Sequence, residues 1–137
     1  MPFTQGKAAP NAPSVRMHWL VWGLQVLLAL AFLAHGVMFL NPPPDIAVQM
    51  NASLPRWFTL FLGVAEVLAA VGLILPALTG IQPWLVAWAA GGVMIVLGSA
   101  TLYHLARGEF SSAVITAVMF AMATVVFGVR RRLSRQP

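Results

Sequence analysis

The sequence has 137 residues, of which 60% are hydrophobic and 8% are charged, with a mean hydropathy of +0.85 and a net charge of +5. A soluble domain has about a quarter of its residues charged, so a soluble fold is excluded and an integral membrane protein is expected. The chain contains no cysteine, which excludes disulfide exchange, iron–sulfur clusters and c-type haem attachment.

Four apolar segments are long enough to cross a bilayer, since roughly 20 residues span ~30 Å of hydrocarbon. They cover about residues 19–40, 57–75, 84–103 and 112–129. The stretches between them, NPPPDIAVQMNASLPR, PALTGIQP and HLARGEFS, contain prolines and glycines and are predicted to be turns. Because short connections make neighbouring helices antiparallel, we predict an all-α four-helix transmembrane bundle over residues 16–132. A flexible tail (1–15) precedes it, and a basic tail (133–137) follows it.

The first apolar segment has an alternative interpretation as a signal peptide, because Lys7 and Arg16 precede it. It runs for about 22 residues, whereas the apolar region of a signal peptide spans roughly 7–15. A retained first helix is therefore favoured.

The positive charges predict the orientation of the bundle, because cytoplasmic loops are enriched in Lys and Arg. Two cations, Arg56 and Arg107, lie in one set of loops. The other set and the tails contain Lys7, Arg16, Arg130, Arg131, Arg132 and Arg135. Both termini are therefore expected in the cytoplasm. Arginines beside a span are typical of contacts with anionic lipid, and no nucleic-acid partner is expected.

Glu66 is the one acidic residue inside a predicted span, about ten residues from either end of its helix. A charge at that depth costs on the order of 3 kcal/mol on insertion scales. Gly63 and Ala70 share its helix face, and small residues let another helix approach closely. We therefore expect Glu66 to face the interior of the bundle.

Two histidines are candidate partners for Glu66. His35 lies about five residues from the outer end of the first span, and His104 closes the outer end of the third. Gly36 beside His35 and Gly63 beside Glu66 would admit a close crossing of the two helices. We predict that Glu66 and His35 share one site, directly or through one water. His104 is expected above them, beside Arg107 and Glu109, to form a polar column that opens to the non-cytoplasmic side.

The same residues also fit a structural role, since intramembrane polar groups form interhelical hydrogen bonds worth ~0.6 kcal/mol on average. His35 and His104 could instead contact headgroups, and Arg107 and Glu109 could be ordinary loop charges. No HxxxH or ExxH spacing indicates a metal site, and no catalytic constellation is complete.

The segments FLAHGVMFL, LPRWFTLFLGVAEVLAAVGLILPALTGIQPWL and HLARGE resemble the DoxX-like family of small four-helix bacterial membrane proteins. The resemblance covers about residues 20–130 and rests on Glu66, Pro76, His104 and Glu109. Members of the family often have a lysine near the end of the first helix, where this sequence has Phe39, so a role for that lysine cannot be transferred.

The resemblance implies a multi-pass protein of the bacterial cytoplasmic membrane, with some relatives linked to respiratory oxidoreductases, including thiosulfate:quinone oxidoreductase subunits. Two classes of function follow. In the first, Glu66 and a histidine exchange protons with the head group of a bound quinone or lipid-like ligand. In the second, the chain is an accessory or assembly subunit whose polar column fixes helix packing or receives a partner helix. Its expected partners are oxidoreductase subunits or further copies of the chain, and no intrinsic cofactor is expected. A proton or small-solute transporter is a third alternative with less support, because no internal repeat is visible.

Overall fold

A computed structural model describes residues 13–135, which form five α-helices and no strand. The helices are α1 (Val15–Leu40), α2 (Pro44–Ser53), α3 (Arg56–Thr79), α4 (Trp84–Ala106) and α5 (Phe110–Leu133). Four of them, α1, α3, α4 and α5, are long and apolar enough to cross a membrane. The predicted all-helical bundle with four spans is confirmed. Most of the tail predicted to be flexible, residues 1–12, and residues 136–137 lie outside the described range.

The segment between the first two spans was predicted to be a turn and is instead mostly helical. Pro44 occupies the first position of α2, where its missing N–H is not needed and its φ already suits a helix. Asp45 follows in the first turn, where a negative charge interacts favourably with the helix dipole. None of the ten residues of α2 is buried, so this helix lies on the surface of the bundle.

The prediction that Pro76 ends the second span is wrong. Pro76 lies inside α3, which continues to Thr79 and ends at Gly80 with a left-handed φ of 69°. The Gly80 N–H donates to the Pro76 carbonyl at 3.0 Å. Proline has no N–H, so Pro76 cannot donate to the Gly72 carbonyl as another residue at this position of an α-helix would. The other three spans also begin or end a few residues beyond their predicted bounds.

The spans pack as two antiparallel pairs, α1 with α3 and α4 with α5, and these pairs make the most extensive contacts in the bundle. The pairs meet through α3 with α4 and, to a smaller extent, α1 with α5. A hydrogen bond of 2.9 Å between the hydroxyl groups of Thr101 and Thr116 joins α4 to α5. The core residues shared by the four spans are mostly small or branched aliphatic: Val21, Leu28, Ala29, Phe32, Ala70, Leu73, Ala90, Val93, Leu97, Ala123 and Val126.

Large apolar side chains cover the outward faces of the spans. Leu27, Leu68 and Ile95, for example, are 57%, 64% and 73% exposed. In water such a surface would drive aggregation, whereas in a bilayer it faces lipid chains. Hydrophobic burial against other helices therefore cannot be what holds the spans together, and close backbone contacts and interhelical hydrogen bonds must contribute.

Candidate functional site

The predicted pairing of His35 with Glu66 is present. His35 Nδ1 lies 2.7 Å from Glu66 Oε2, which joins the C-terminal part of α1 to the middle of α3. We call the end of the bundle with the α1–α3 and α4–α5 connections the outer end, and the end with Gln25 and Arg130 the inner end. Glu66 is 4% exposed, as expected of an acid that faces the bundle interior. The His35 side chain is 49% exposed. The pair therefore consists of a carboxyl group shielded by protein and a ring that remains accessible.

A close crossing of α1 and α3 brings the two side chains into contact. A Cβ atom at Gly36 would lie 2.9 Å from the Gly63 carbonyl oxygen, and one at Gly63 would lie 3.0 Å from the Gly36 carbonyl oxygen. Neither position has room for a side chain. The expectation that Gly36 and Gly63 admit a close crossing is confirmed, and His35 and Glu66 lie beside this contact because each is within three residues of one of these glycines.

The outer end of α1 is fastened to the start of α3 by Arg56. Its guanidinium donates to the carbonyl oxygens of Phe39 and Leu40 at 3.0 and 3.1 Å. These are two of the carbonyls that have no partner within a helix that ends at Leu40. The Phe39 ring packs against the His35 ring with centroids 4.3 Å apart. Phe39 and Glu66 thus orient the imidazole together.

The arrangement leaves one imidazole nitrogen for other contacts. With Nδ1 occupied by Glu66, no hydrogen-bond partner of Nε2 is found among residues 13–135. An ionised carboxylate accepts from Nδ1–H and thereby fixes the ring tautomer. Nε2 can then accept a hydrogen bond in the neutral ring and donate one in the protonated ring. The pair can bind a hydroxyl or a carbonyl group and can exchange a proton with it.

The second histidine forms a separate pair. His104 Nδ1 lies 2.6 Å from Glu109 Oε2, and Arg107 Nε donates to Glu109 Oε1 at 2.7 Å. The hydrogen bond from Arg107, followed by that from His104, holds the pKa of the Glu109 carboxyl below its ordinary value. The same bond, with the nearby Tyr103, raises the pKa of Arg107. All of these groups lie at the turn between α4 and α5.

No hydrogen bond or ion pair within residues 13–135 connects the His104 pair to the His35 pair. The predicted polar column is therefore two separate pairs. The physical reason is that α1 and α4 lie diagonally across the bundle and do not touch. Glu109 follows His104 by five residues and is its hydrogen-bond partner within the same connection between helices. Arg107 in turn donates a hydrogen bond to Glu109.

A third polar cluster lies toward the opposite, inner end of the bundle. Gln25 is completely buried, donates from Nε2 to the Leu73 carbonyl, and accepts from Arg130 Nε at 2.8 Å. The Arg130 guanidinium also packs over the Trp22 ring, with its central carbon 5.2 Å from the ring centroid. These contacts tie α1, α3 and α5 together.

This cluster was not predicted, because Arg130 was interpreted only as a charge that sets the topology and Gln25 was not among the candidate residues. A signal was present. Gln25 is a polar amide inside a predicted span, and it lies on the same α1 face as Leu28, Phe32 and Gly36 at spacings of three and four residues. This periodicity places it toward the other helices.

Comparison with known proteins places the chain in a family. A model of the DoxX-like family matches residues 23–127. The chain belongs to the DoxX-like family. The predicted resemblance is confirmed, and with the four apolar helices it identifies a multi-pass integral membrane protein. The matched region of this DoxX-like protein includes both histidine–carboxylate pairs and Gln25, and it ends before Arg130. No curated protein and no solved structure matches the chain significantly.

Apolar side chains separate the outer and inner polar clusters of this DoxX-like protein. Gln25 precedes His35 by ten residues, or roughly 15 Å along the helix. Between these levels the buried residues are Leu28, Ala29, Phe32, Ala70 and Leu73. A cavity of about 400 Å³ opens between α1 and α3, but it is lined by aliphatic side chains and includes neither His35 nor Glu66.

Proposed function

We propose that this DoxX-like protein is an accessory subunit of a membrane oxidoreductase system and that His35 and Glu66 bind the head group of a quinone or another lipid-like ligand. One observation carries the proposal: a carboxyl group that is 4% exposed lies 2.7 Å from an imidazole whose side chain is 49% exposed. Intramembrane ionisable groups are expensive to insert and commonly mark functional sites.

The imidazole of His35, with Glu66 behind it, fits a quinone head group, which presents carbonyl oxygens when oxidised and hydroxyl groups when reduced. A bound quinone would supply the redox chemistry, and its electrons would come from a partner oxidoreductase. The chain itself positions the ligand and exchanges protons with it. Glu66 accepts a hydrogen bond from Nδ1–H, and Phe39 packs against the ring. Nε2 donates a proton to the ligand oxygen or accepts one from it.

A purely structural role is the second candidate, and the same contacts favour it. The His35–Glu66 bond joins α1 to α3 beside the Gly36–Gly63 crossing, where it also fixes helix packing. An assembly subunit would need nothing more. A transporter is disfavoured, because the buried residues between the outer pair and Gln25 are apolar and offer no polar path through the bundle.

The proposed location is the bacterial cytoplasmic membrane with both termini in the cytoplasm. The ends of α1 and α5 on the Gln25–Arg130 side are neighbours, as an even number of spans requires. The excess of cations at these helix ends favours a location of both termini in the cytoplasm. Fusions of a periplasm-dependent reporter after Arg132 and within residues 44–52 test this orientation; activity of the fusion after Arg132 would contradict it.

The ligand proposal is tested by extracting purified protein with organic solvent and quantifying quinones by mass spectrometry. We expect quinone to co-purify with the wild type and with Glu109→Gln, and to be lost from Glu66→Gln and His35→Leu. Circular dichroism and size-exclusion chromatography check that each variant is folded. Equal quinone content in Glu66→Gln and Glu109→Gln would contradict the site. Absence of quinone from the wild type, even after incubation with a short-chain quinone, would leave the structural role as the better account.

A further inference from the structure

The four arginines at the end of α5 have three different environments. Arg130 turns inward to Gln25 and Trp22. Arg131 and Arg135 line one cavity of about 380 Å³ between the end of α5 and the start of α4, and Arg132 is not part of its lining. General attraction of a basic segment to a membrane would not require this division.

The cavity combines cationic and aromatic walls. Arg131 lies in the last turn of α5 and Arg135 lies two residues beyond the end of this helix, and both line the same space. Trp84 and Trp88 form the opposite wall, and Phe127 packs beneath Arg131 with its ring centroid 5.6 Å from the guanidinium carbon. One end of the cavity is therefore charged and the remainder is apolar, which suits an amphiphile.

The two arginines have no acidic side chain of this chain as a partner. The sequence contains three acidic residues. Glu66 and Glu109 are occupied by His35, His104 and Arg107 at the outer end. Asp45 lies in α2, on the outer side of the bundle. Ser134, which also lines the cavity, donates its hydroxyl hydrogen to the Arg131 carbonyl. Neither guanidinium group has a hydrogen-bond or ion-pair partner among residues 13–135, and both line the cavity, so an anion bound there would neutralise them.

We propose that this cavity binds the phosphate of an anionic phospholipid headgroup, with Arg131 and Arg135 on the phosphate and Trp84, Trp88 and Phe127 along the start of the acyl chains. Arginine forks match phosphate oxygens geometrically. Tryptophan prefers the depth where headgroups meet hydrocarbon, and basic pockets at the ends of membrane helices bind such lipids. With the proposed orientation of the bundle, the lipid belongs to the cytoplasmic leaflet. The site is independent of the quinone proposal.

The test is a lipid titration of purified protein in uncharged detergent, with thermal unfolding followed by tryptophan fluorescence. Phosphatidylglycerol is compared with phosphatidylcholine and with inorganic phosphate. The variant R131Q/R135Q removes both cavity arginines. R16Q/R132Q is its matched control, since it removes two exposed arginines that do not line the cavity.

We expect phosphatidylglycerol to raise the midpoint of unfolding of the wild type and of R16Q/R132Q at similar lipid concentrations. R131Q/R135Q should need at least roughly tenfold more lipid, since even one charge-assisted hydrogen bond to the phosphate contributes about tenfold. Equal weakening of both double variants, or no stabilisation of the wild type, would overturn the proposal. Equal stabilisation by inorganic phosphate would overturn the assignment to a lipid. Circular dichroism without lipid checks that both variants are folded.

Discussion

The two histidine–carboxylate pairs at the outer end of the bundle share one geometry and differ in their surroundings. Both join Nδ1 to Oε2, at 2.7 Å for His35–Glu66 and 2.6 Å for His104–Glu109. The Glu66 side chain is 5% exposed, comes from another helix than its histidine, and has no second hydrogen-bond partner among residues 13–135. The Glu109 side chain is 37% exposed and shares a turn with both His104 and Arg107.

This difference shows that environment, more than the bond itself, separates a site from a local contact. If Glu109 loses one partner, water and the other partner replace it. If Glu66 loses His35, a carboxyl group remains in a shielded position with nothing to compensate it, which is the expensive situation for a buried polar group. The buried pair should therefore be sensitive to changes that the exposed pair tolerates.

The largest expected effect comes from Gly36→Ala, which would break the His35–Glu66 hydrogen bond by forcing the two helix backbones apart. The new Cβ would meet the Gly63 carbonyl oxygen at 2.9 Å, so α1 and α3 must separate. We expect a loss of about 3 kcal/mol in the free energy of unfolding, combining overpacking of ~1–3 kcal/mol with a lost hydrogen bond of ~1 kcal/mol. Equilibrium unfolding in mixed micelles measures it.

Gly23→Ala is the control on the same helix, because nothing lies within 4 Å of a Cβ atom there. Alanine should stabilise that position by up to ~1 kcal/mol through helix propensity. If both variants changed stability equally, the Gly36–Gly63 contact would not be what holds α1 against α3.

A smaller effect is expected from Glu66→Leu, which removes the acceptor for the half-exposed His35 ring and should cost about 1 kcal/mol, the usual net value of one hydrogen bond. Glu66→Gln should cost less, since the amide keeps an acceptor and gains a donor. The corresponding changes at Glu109 should alter stability less than either, because that side chain is exposed. Unfolding of the four variants under one condition gives the comparison; a larger loss at Glu109 than at Glu66 would reverse it.

The smallest effect concerns pH and the exposed pair. Because the pKa of Glu109 lies below its ordinary value of 4.5, the ionised carboxylate favours the folded state. This contribution is fully present above 4.5 and is lost as the pH falls through the lowered pKa. Arg107→Gln removes the main cause and should move the Glu109 pKa upward, toward 4.5. Carbon-13 NMR of the glutamate carboxyls measures it, and a pKa unchanged by the substitution would contradict the assigned cause.

The sequence predicted the site best where the position of a residue allowed one structural interpretation. A lone acid in an apolar span had to face protein, and glycines beside Glu66 and His35 indicated a close crossing, so the buried pair could be predicted. The absence of a polar column that includes His104 could not be predicted. It depends on which helices lie diagonally across the bundle, and the spacing of residues along each helix does not determine that. Pro76 and α2 were misjudged because proline was taken only as a terminator, although it also begins helices and is tolerated in their last turn.

The Gly36–Gly63 crossing has a mechanical consequence for the two helices. Helices adjust to a thinner or thicker bilayer by changing tilt, and α1 and α3 approach most closely at these two glycines. His35 is one residue from this contact, ~1.5 Å along the axis, whereas Gln25 is eleven residues away, ~16 Å. If α1 tilts about this contact, Gln25 moves about ten times as far as His35. A change of bilayer thickness is therefore expected to alter the Gln25–Arg130 contact more than the His35–Glu66 distance.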